Sequence, residues 1–345
     1  MFLDKIITKY FNILCPERRI ILFEIRTDLA VEARELYKET NNIEVEGVEV
    51  ETEEEKNYSI TRVKILNETG SRNMNKAIGS YITIDVPQLN RSDEDLKDEI
   101  SQVLAKELKA ITNTNEKTKI LIIGLGNWDI SPDALGPQVV KRVLVTRQYF
   151  VNFGKEFDET VANVAAISPG VLGITGIETF DIVNGIVEKI KPDMVIAVDA
   201  LSSRKMERIS TTIQISDTGI NPGSGVGNKR VGLNRDTLGI PVIAIGIPTV
   251  VNAATIVNDT MGMIINSLKE QAEVGKEFYN LLEDLSSEDR YSLIEEVLNP
   301  YGGNVIVTPK DIDVLIDDLS IIVANGLNMA LHPGIDLKDV NRYIR

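Results

Sequence analysis

A chain of 345 residues, 43% hydrophobic and 26% charged, has core material for one large α/β domain or two smaller ones. Its formal charge of −15 argues against a nucleic-acid-binding surface. Its one cysteine, Cys15, excludes a disulfide framework, and its one histidine, His332, excludes a His-rich zinc centre.

Residues 1–24 stand apart. Phe2, Ile6, Ile7, Tyr10, Phe11 and Leu14 recur at helical spacing, and Lys5, Lys9, Arg18 and Arg19 make the segment slightly basic on an acidic body. Two readings fit: an ordinary N-terminal helix docked on the domain, or a removable segment that covers a site. Asp4, Lys5 and Lys9 interrupt it too early for a secretory signal, so a cytoplasmic protein is expected.

Thr27 is a candidate N-cap for a helix in the stretch that follows. Period-2 alternation at Val45–Glu51 and Tyr58–Ile65, with a further strand at Tyr81–Ile84, predicts an antiparallel addition over 44–86. Ser92–Asp95 has a capping-box pattern ahead of a helix with a buried stripe from Leu96 to Ile111. Then come a strand (119–123), a helix (132–148), a strand (162–167), a helix (179–190) and a strand (194–199). Such alternation predicts an α/β fold of three layers, a mostly parallel sheet with helices on both faces. Ser210–Ile215 and Val242–Ile247 can join the sheet. Helices are expected at 250–268, 271–285, 287–298 and from Thr308–Pro309 to about Met329. No stretch reads as membrane-spanning, the longest apolar region, Pro241–Val257, being broken by Gly246, Pro248 and Asn252.

The stretch Lys119–Pro137 carries the first candidate for chemistry. A buried strand closes on Gly124-Leu-Gly126-Asn127, and Ser131 and Pro132 suit a helix start. That places Asp133 in a first helical turn beyond the carboxyl end of a strand, where open α/β sheets bind ligands and the helix dipole favours an ionised acid. Met194–Val198 is a second buried strand, ending on Asp199 and so bringing it to the same edge. A strand-end aspartate alone is often a helix cap. Two on one edge suggest paired carboxylates whose pKa values split into a base and an acid, with Asp133 the more easily ionised. Asp129 is a rival.

Gly124-x-Gly126 lacks the third glycine of a dinucleotide fingerprint, and Gly223–Asn228 lacks the Lys-Ser/Thr of a P-loop. These loops suit tight turns, as does the glycine-rich run 168–179, which could form a peptide-binding rim or supply donors to an oxyanion. Cys15 has no nearby partner, and His332 reads more simply as a packed, hydrogen-bonded residue.

Assembled, these stretches resemble the germination proteases of spore-forming bacteria. The resemblance rests on Ile25–Ala33, Gly124–Asn127 with Pro132–Pro137, Pro169–Gly170 with Thr175–Thr179, Val198–Ala200, Thr212–Gly219, Pro222–Asn228, Gly239–Val251 and His332–Gly334. It implies a homotetrameric endopeptidase over 25–345 that degrades small acid-soluble spore proteins in the spore core. It also implies a zymogen that removes its own N-terminal segment, and a fold similar to that of hydrogenase-maturation endopeptidases. By the match, Asp133 and Asp199 take the catalytic positions, and no cofactor, metal, membrane or nucleic acid is called for. Asn252 departs from the pattern, where an aspartate is expected. The family's preference for cleavage after glutamate, before a branched or aromatic residue, points to self-cleavage at Glu24–Ile25. Arg204 and Arg230 are candidates to read that glutamate, because they flank the two cleft loops. The competing reading is a nucleotide- or phosphate-binding protein, or a scaffold, on the same sheet.

Overall fold

The computed structural model of the chain describes residues 27–41, 43–89, 93–112, 118–153, 160–222, 230–271, 294 and 305–339. Apolar runs that are hydrophobic on both sides need cover on both sides, and the sheet supplies it. Four such runs form its parallel half: β4 (Lys119–Gly124), β5 (Asn163–Ile167), β6 (Met194–Ser203) and β8 (Val242–Asn252). The half-wet, alternating runs β1 (Val48–Glu54), β2 (Ser59–Ile65) and β3 (Gly79–Asp85) pair antiparallel and reach the parallel half through β7 (Thr212–Ser216). The spatial order is β1-β2-β3-β7-β8-β6-β4-β5, with β9 (Ile306–Val307) pairing the end of β8. The sheet is therefore mixed, and its antiparallel part extends beyond 44–86 to include β7.

The helices follow in chain order: α1 (Ala30–Asn41), α2 (Glu68–Met74), α3 (Glu94–Thr112), α4 (Leu135–Arg142), α5 (Arg147–Phe153), α6 (Leu172–Thr175), α7 (Thr179–Ile190), α8 (Arg235–Leu238), α9 (Ala253–Gln271) and α10 (Ile312–Leu331). On one face of the sheet Ile120, Ile122, Ile196 and Val198 meet Leu104 and Leu108 of α3, Leu135 and Val139 of α4, and Leu319 and Val323 of α10. On the other, Leu121, Ile123, Val195 and Ala197 meet Val183 and Val187 of α7 and Leu238 of α8. Further along that second face, Ala30 of α1 packs on Val63, Ile65 and Tyr81. Among the described residues α10 is the one helix long and apolar enough to cross a membrane, which the sequence reading did not single out. With 78% of its most apolar window buried, it is the core helix of the first face, beside α3 and α4.

Some boundaries differ from the expectations, those at 132–148 and 308 because of contacts distant in sequence, and the helix expected from 250 starts at Ala253 because β8 runs on to Asn252. The helix expected over 132–148 is a 3₁₀ turn (Ser131–Asp133), then α4, then an extended Val143 before α5. Thr146 breaks it by bonding across to β5: its amide donates to Val164 O at 2.9 Å, and its hydroxyl to Ala162 O at 2.5 Å. α3 is capped by Asp93, which accepts from the Leu96 amide at 3.1 Å, and Ser92 lies outside the described residues. The Thr308 hydroxyl donates to Thr249 O rather than capping α10, whose N-cap is Asp311. The helices expected at 271–285 and 287–298 lie almost wholly outside the described residues.

Candidate active site

The site grows from the end of β4. Its last partner bond runs from the Leu125 amide to Val198 O on β6 at 2.8 Å. The chain then leaves the sheet at Gly126, whose φ of 112° is open to glycine and strained for other residues. Asn127 forms the base of the loop. Its side-chain oxygen accepts from the Asp129 amide at 3.0 Å, and its own amide donates to Asp133 O at 3.0 Å. The loop thus closes on Asp133, at the end of the 3₁₀ turn. Ser131 does not cap that turn. Its N-cap is Ile130, with no side-chain bond, so Asp133 precedes α4 instead of lying in its first turn. The returning chain passes directly over the strands: a Cβ on Gly136 would sit 2.5 Å from Val198 O.

Asp199 does not end its strand. β4 stops at Gly124, opposite Val198, but β6 continues to Ser203 because β8 remains paired with it, with a register shift between Leu201 and Ser202. Asp199 therefore stands mid-strand, one residue past the point where its β4 neighbour gives out. Across the sheet it pairs with Gly246 of β8, which pairs in turn with Gln214 of β7. Asp199 is 6% exposed, and its Oδ1 accepts from the Ala200 amide at 2.9 Å.

Burial dominates the electrostatics of both acids. It pushes the Asp199 carboxyl well above its ordinary range, with the negative fields of Asp133 and Asp28 adding to the rise. It lifts half-buried Asp133 to about 6, against the pull of the Asn127 main-chain amide and the Arg230 guanidinium. The expected help from a helix dipole is thus outweighed by desolvation. Burial pushes both carboxyls up, and the charge of Asp133 adds to the rise at Asp199, so the two acids act on one another.

The other candidates fall out as follows. Asp129 is exposed, and its amide serves the loop. Arg230 acts on Asp133 and has no ion pair among the described residues. Arg204 is tied elsewhere, to Glu39 at 2.9 Å and Asp259 at 3.6 Å, which binds it to α1 and α9 instead of leaving it for a substrate carboxylate. His332 is a packed residue: Nδ1 accepts from the Ala162 amide, Nε2 donates to Leu144 O, both at 3.2 Å, and burial lowers its pKa to about 4. Asn252 accepts from the Ala254 amide at 2.8 Å, at the start of α9. Glu24, Ile25, Cys15 and the loop 223–228 lie outside the described residues. Among the described residues no three His, Cys, Asp or Glu side chains gather in a way that could hold a metal ion. Two residues at the site were not expected, Asp28 and Gln214. Both lie inside blocks that carry the resemblance, but neither shows a spacing that points to Asp199.

The germination protease family model matches residues 26–280 and 268–344. The chain belongs to the germination protease family. The germination protease of Clostridium tetani is 49% identical over 320 residues, 93% of this chain and 99% of that one. That of Caldanaerobacter subterraneus subsp. tengcongensis is 50% identical over 325 residues, 94% of this chain and 99% of its own. That of Oceanobacillus iheyensis is 43% identical over 367 residues, covering 95% and 100%. Among solved structures, the NiFe hydrogenase maturation protease HycI from Thermococcus kodakarensis is 23% identical, over 41% of this chain and 80% of that one. Its TM-score is 0.28, so it carries no argument. As a germination protease the chain is a peptidase of spore germination.

Proposed function

We propose that this germination protease is an aspartate-dependent endopeptidase that starts the degradation of small acid-soluble spore proteins in the spore core. Ionised Asp133 takes a proton from water as the water oxygen attacks the scissile carbonyl. Protonated Asp199 gives its proton to the carbonyl oxygen as that oxygen becomes tetrahedral. On collapse the C–N bond breaks, the proton held by Asp133 passes to the departing amine, and one hydroxyl of the intermediate returns its proton to Asp199 as the carbonyl re-forms. The observation that carries this reading is the placement of the acids: the loop after β4 closes on Asp133, whose O accepts from the Asn127 amide at 3.0 Å, and Asp199 stands on β6 one residue past the end of β4.

The polypeptide is made as a zymogen and removes residues 1–24 by cutting Glu24–Ile25. Asp28 lies on the strand that carries Asp199, its amide donating to Ser202 O at 3.1 Å. Trp128 and Ile130, 46% and 53% exposed on the loop before Asp133, suit a branched or aromatic residue after the cleaved bond. Arg230 is the cation for the glutamate before it. The working form is a homotetramer.

Asp133→Asn and Asp199→Asn test the reading. Each should abolish cleavage of a spore protein and the appearance of an Ile25 N-terminus by mass spectrometry, with the fold and assembly intact by circular dichroism and light scattering. Normal cleavage by either variant removes that residue from the mechanism.

A further inference from the structure

β5 ends the sheet on its side, and among the described residues no strand pairs its outer edge. Main-chain groups of alternate residues point to that edge. The first of them are taken, in order, from within the molecule. Thr160 O accepts from the Gly334 amide at 2.8 Å. The Ala162 amide donates to His332 Nδ1 at 3.2 Å, and Ala162 O accepts from the Thr146 hydroxyl at 2.5 Å. The Val164 amide donates to that hydroxyl at 2.9 Å, and Val164 O accepts from the Thr146 amide at 2.9 Å. By the same alternation the next two outward residues are Ala166 and Ser168. Among the described residues nothing bonds their amides or carbonyls, and Ser168 Oγ is buried without a partner. Beside this stretch lies a hollow of about 370 Å³ between α5 and β5, lined by Val145, Arg147, Val151 and Ala166. Val145 and Val151 are exposed.

We propose that the open part of this edge, at Ala166 and Ser168, binds an extended stretch of the protein substrate as an added strand, several residues away from the bond that is cut. The placement rests on the reading that cleavage takes place between Asp133 and Asp199. Register brings the edge level with that cleft. Ile123 of β4 lies opposite Ile167 of β5, and Gly124 lies opposite Val198, the residue before Asp199. An added strand stands three strand spacings from β6, about 14 Å, which roughly four residues of extended chain span. A peptidase has to hold extended polypeptide. Main-chain bonds at a sheet edge supply affinity for it, and the hollow beside α5 takes one side chain. The other occupant to weigh is a second copy of the chain. With residues 160–164 engaged, the edge offers two rungs, which suit a short stretch of peptide and fall short of a stable subunit contact.

The test uses protein expressed from the full chain and left to process itself, with synthetic peptides that span the bond it cuts in a small acid-soluble spore protein. Trimming one flank of the long peptide to inside roughly the fourth residue should lower kcat/KM about tenfold, and trimming the other should not. On the sensitive flank, single N-methyl groups should alternate in effect. Every second amide beyond that point should cost about tenfold and those between little, because only alternate residues of an added strand bond the edge. Ala166→Pro removes the outward amide at an edge position, where proline is accommodated. It should cut the long peptide about tenfold more slowly and the trimmed one at the parental rate. Equal kcat/KM for long and trimmed peptides, or an even effect of the N-methyl groups, overturns the proposal. Parental cleavage of the long peptide by Ala166→Pro also overturns it, and loss of assembly by light scattering in that variant then gives the edge to a second copy. If Ala166→Pro does not fold, the N-methyl series on the parental protein decides alone. The two-aspartate reading fails separately, through activity in Asp133→Asn or Asp199→Asn. If those are inactive and the alternation is absent, only the edge site is lost.

Discussion

A side chain on Gly126 would collide with the carbonyl oxygen of Asp133, seven residues further along. The two ends of the loop touch because Asn127 donates its amide to that same oxygen, and the turn closes only with φ at 112°. The position of the candidate base is therefore set by the absence of a Cβ at Gly126. Gly126→Ala should lower stability by about 1–3 kcal/mol from backbone strain alone. It should also lower activity more than a surface variant of equal thermal stability. Thermal unfolding read beside cleavage rates separates the two effects; parental activity at reduced stability would show that the loop tolerates displacement of Asp133.

Asp199 should cost the protein stability at neutral pH. Its folded carboxyl ionises well above the unfolded value, so it contributes stability below about pH 3.8 that is lost as pH rises through the folded value. Asp199→Asn keeps an oxygen for the Ala200 amide and removes the carboxyl whose ionisation burial opposes. At pH 7–8 it should be more stable than the parent by about 1–3 kcal/mol while inactive. Chemical denaturation at pH 7.5 checks this, and an unchanged or lower midpoint speaks against a carboxyl whose ionisation burial opposes.

His332 should act in the opposite sense. Its folded pKa, about 4, lies below the unfolded value of 6.5, so the unfolded chain binds the extra proton between those values. The stability it provides is complete above pH 6.5 and is lost as pH falls toward 4, by about 3 kcal/mol in all. His332→Gln removes this slope but not the opposing slopes of the two aspartates. The difference in unfolding free energy between variant and parent, measured from pH 7.5 to 4, should therefore shrink as pH falls. A constant difference would contradict the neutral, doubly bonded ring.

The two arginines should separate by type of effect. Arg230→Gln removes a positive field from Asp133, so the acid limb of the cleavage profile, near pH 6, moves upward, with about a threefold loss of rate at pH 6. Arg204→Gln releases Glu39 and Asp259, which are partly exposed, and should cost only about 1 kcal/mol of stability. Its acid limb should not move. Profiles measured side by side decide the assignment, and the reverse pattern would exchange the two roles.

The strands were legible in the chain because their chemistry is local. Ile120–Ile123, Met194–Val198 and Val242–Ile247 are apolar throughout because both their faces are covered, and the alternation at 48–65 reports one wet face. The helix from 179 to 190 and the two acids, placed near strand ends, were read on the same grounds. What eluded the sequence depends on partners far along the chain. The helix read through 132–148 is broken by bonds from Thr146 to residues 162–164, which no periodicity within the helix reports. β6 runs past Asp199 only because β8 stays beside it. Asp28 is held against the strand that carries Asp199 by a bond from Ser202, 174 positions away. Identity and spacing thus determined the two candidate acids and the layer that carries them. Which acid holds its proton was decided by burial and neighbouring charge, and those exist only once the chain has folded.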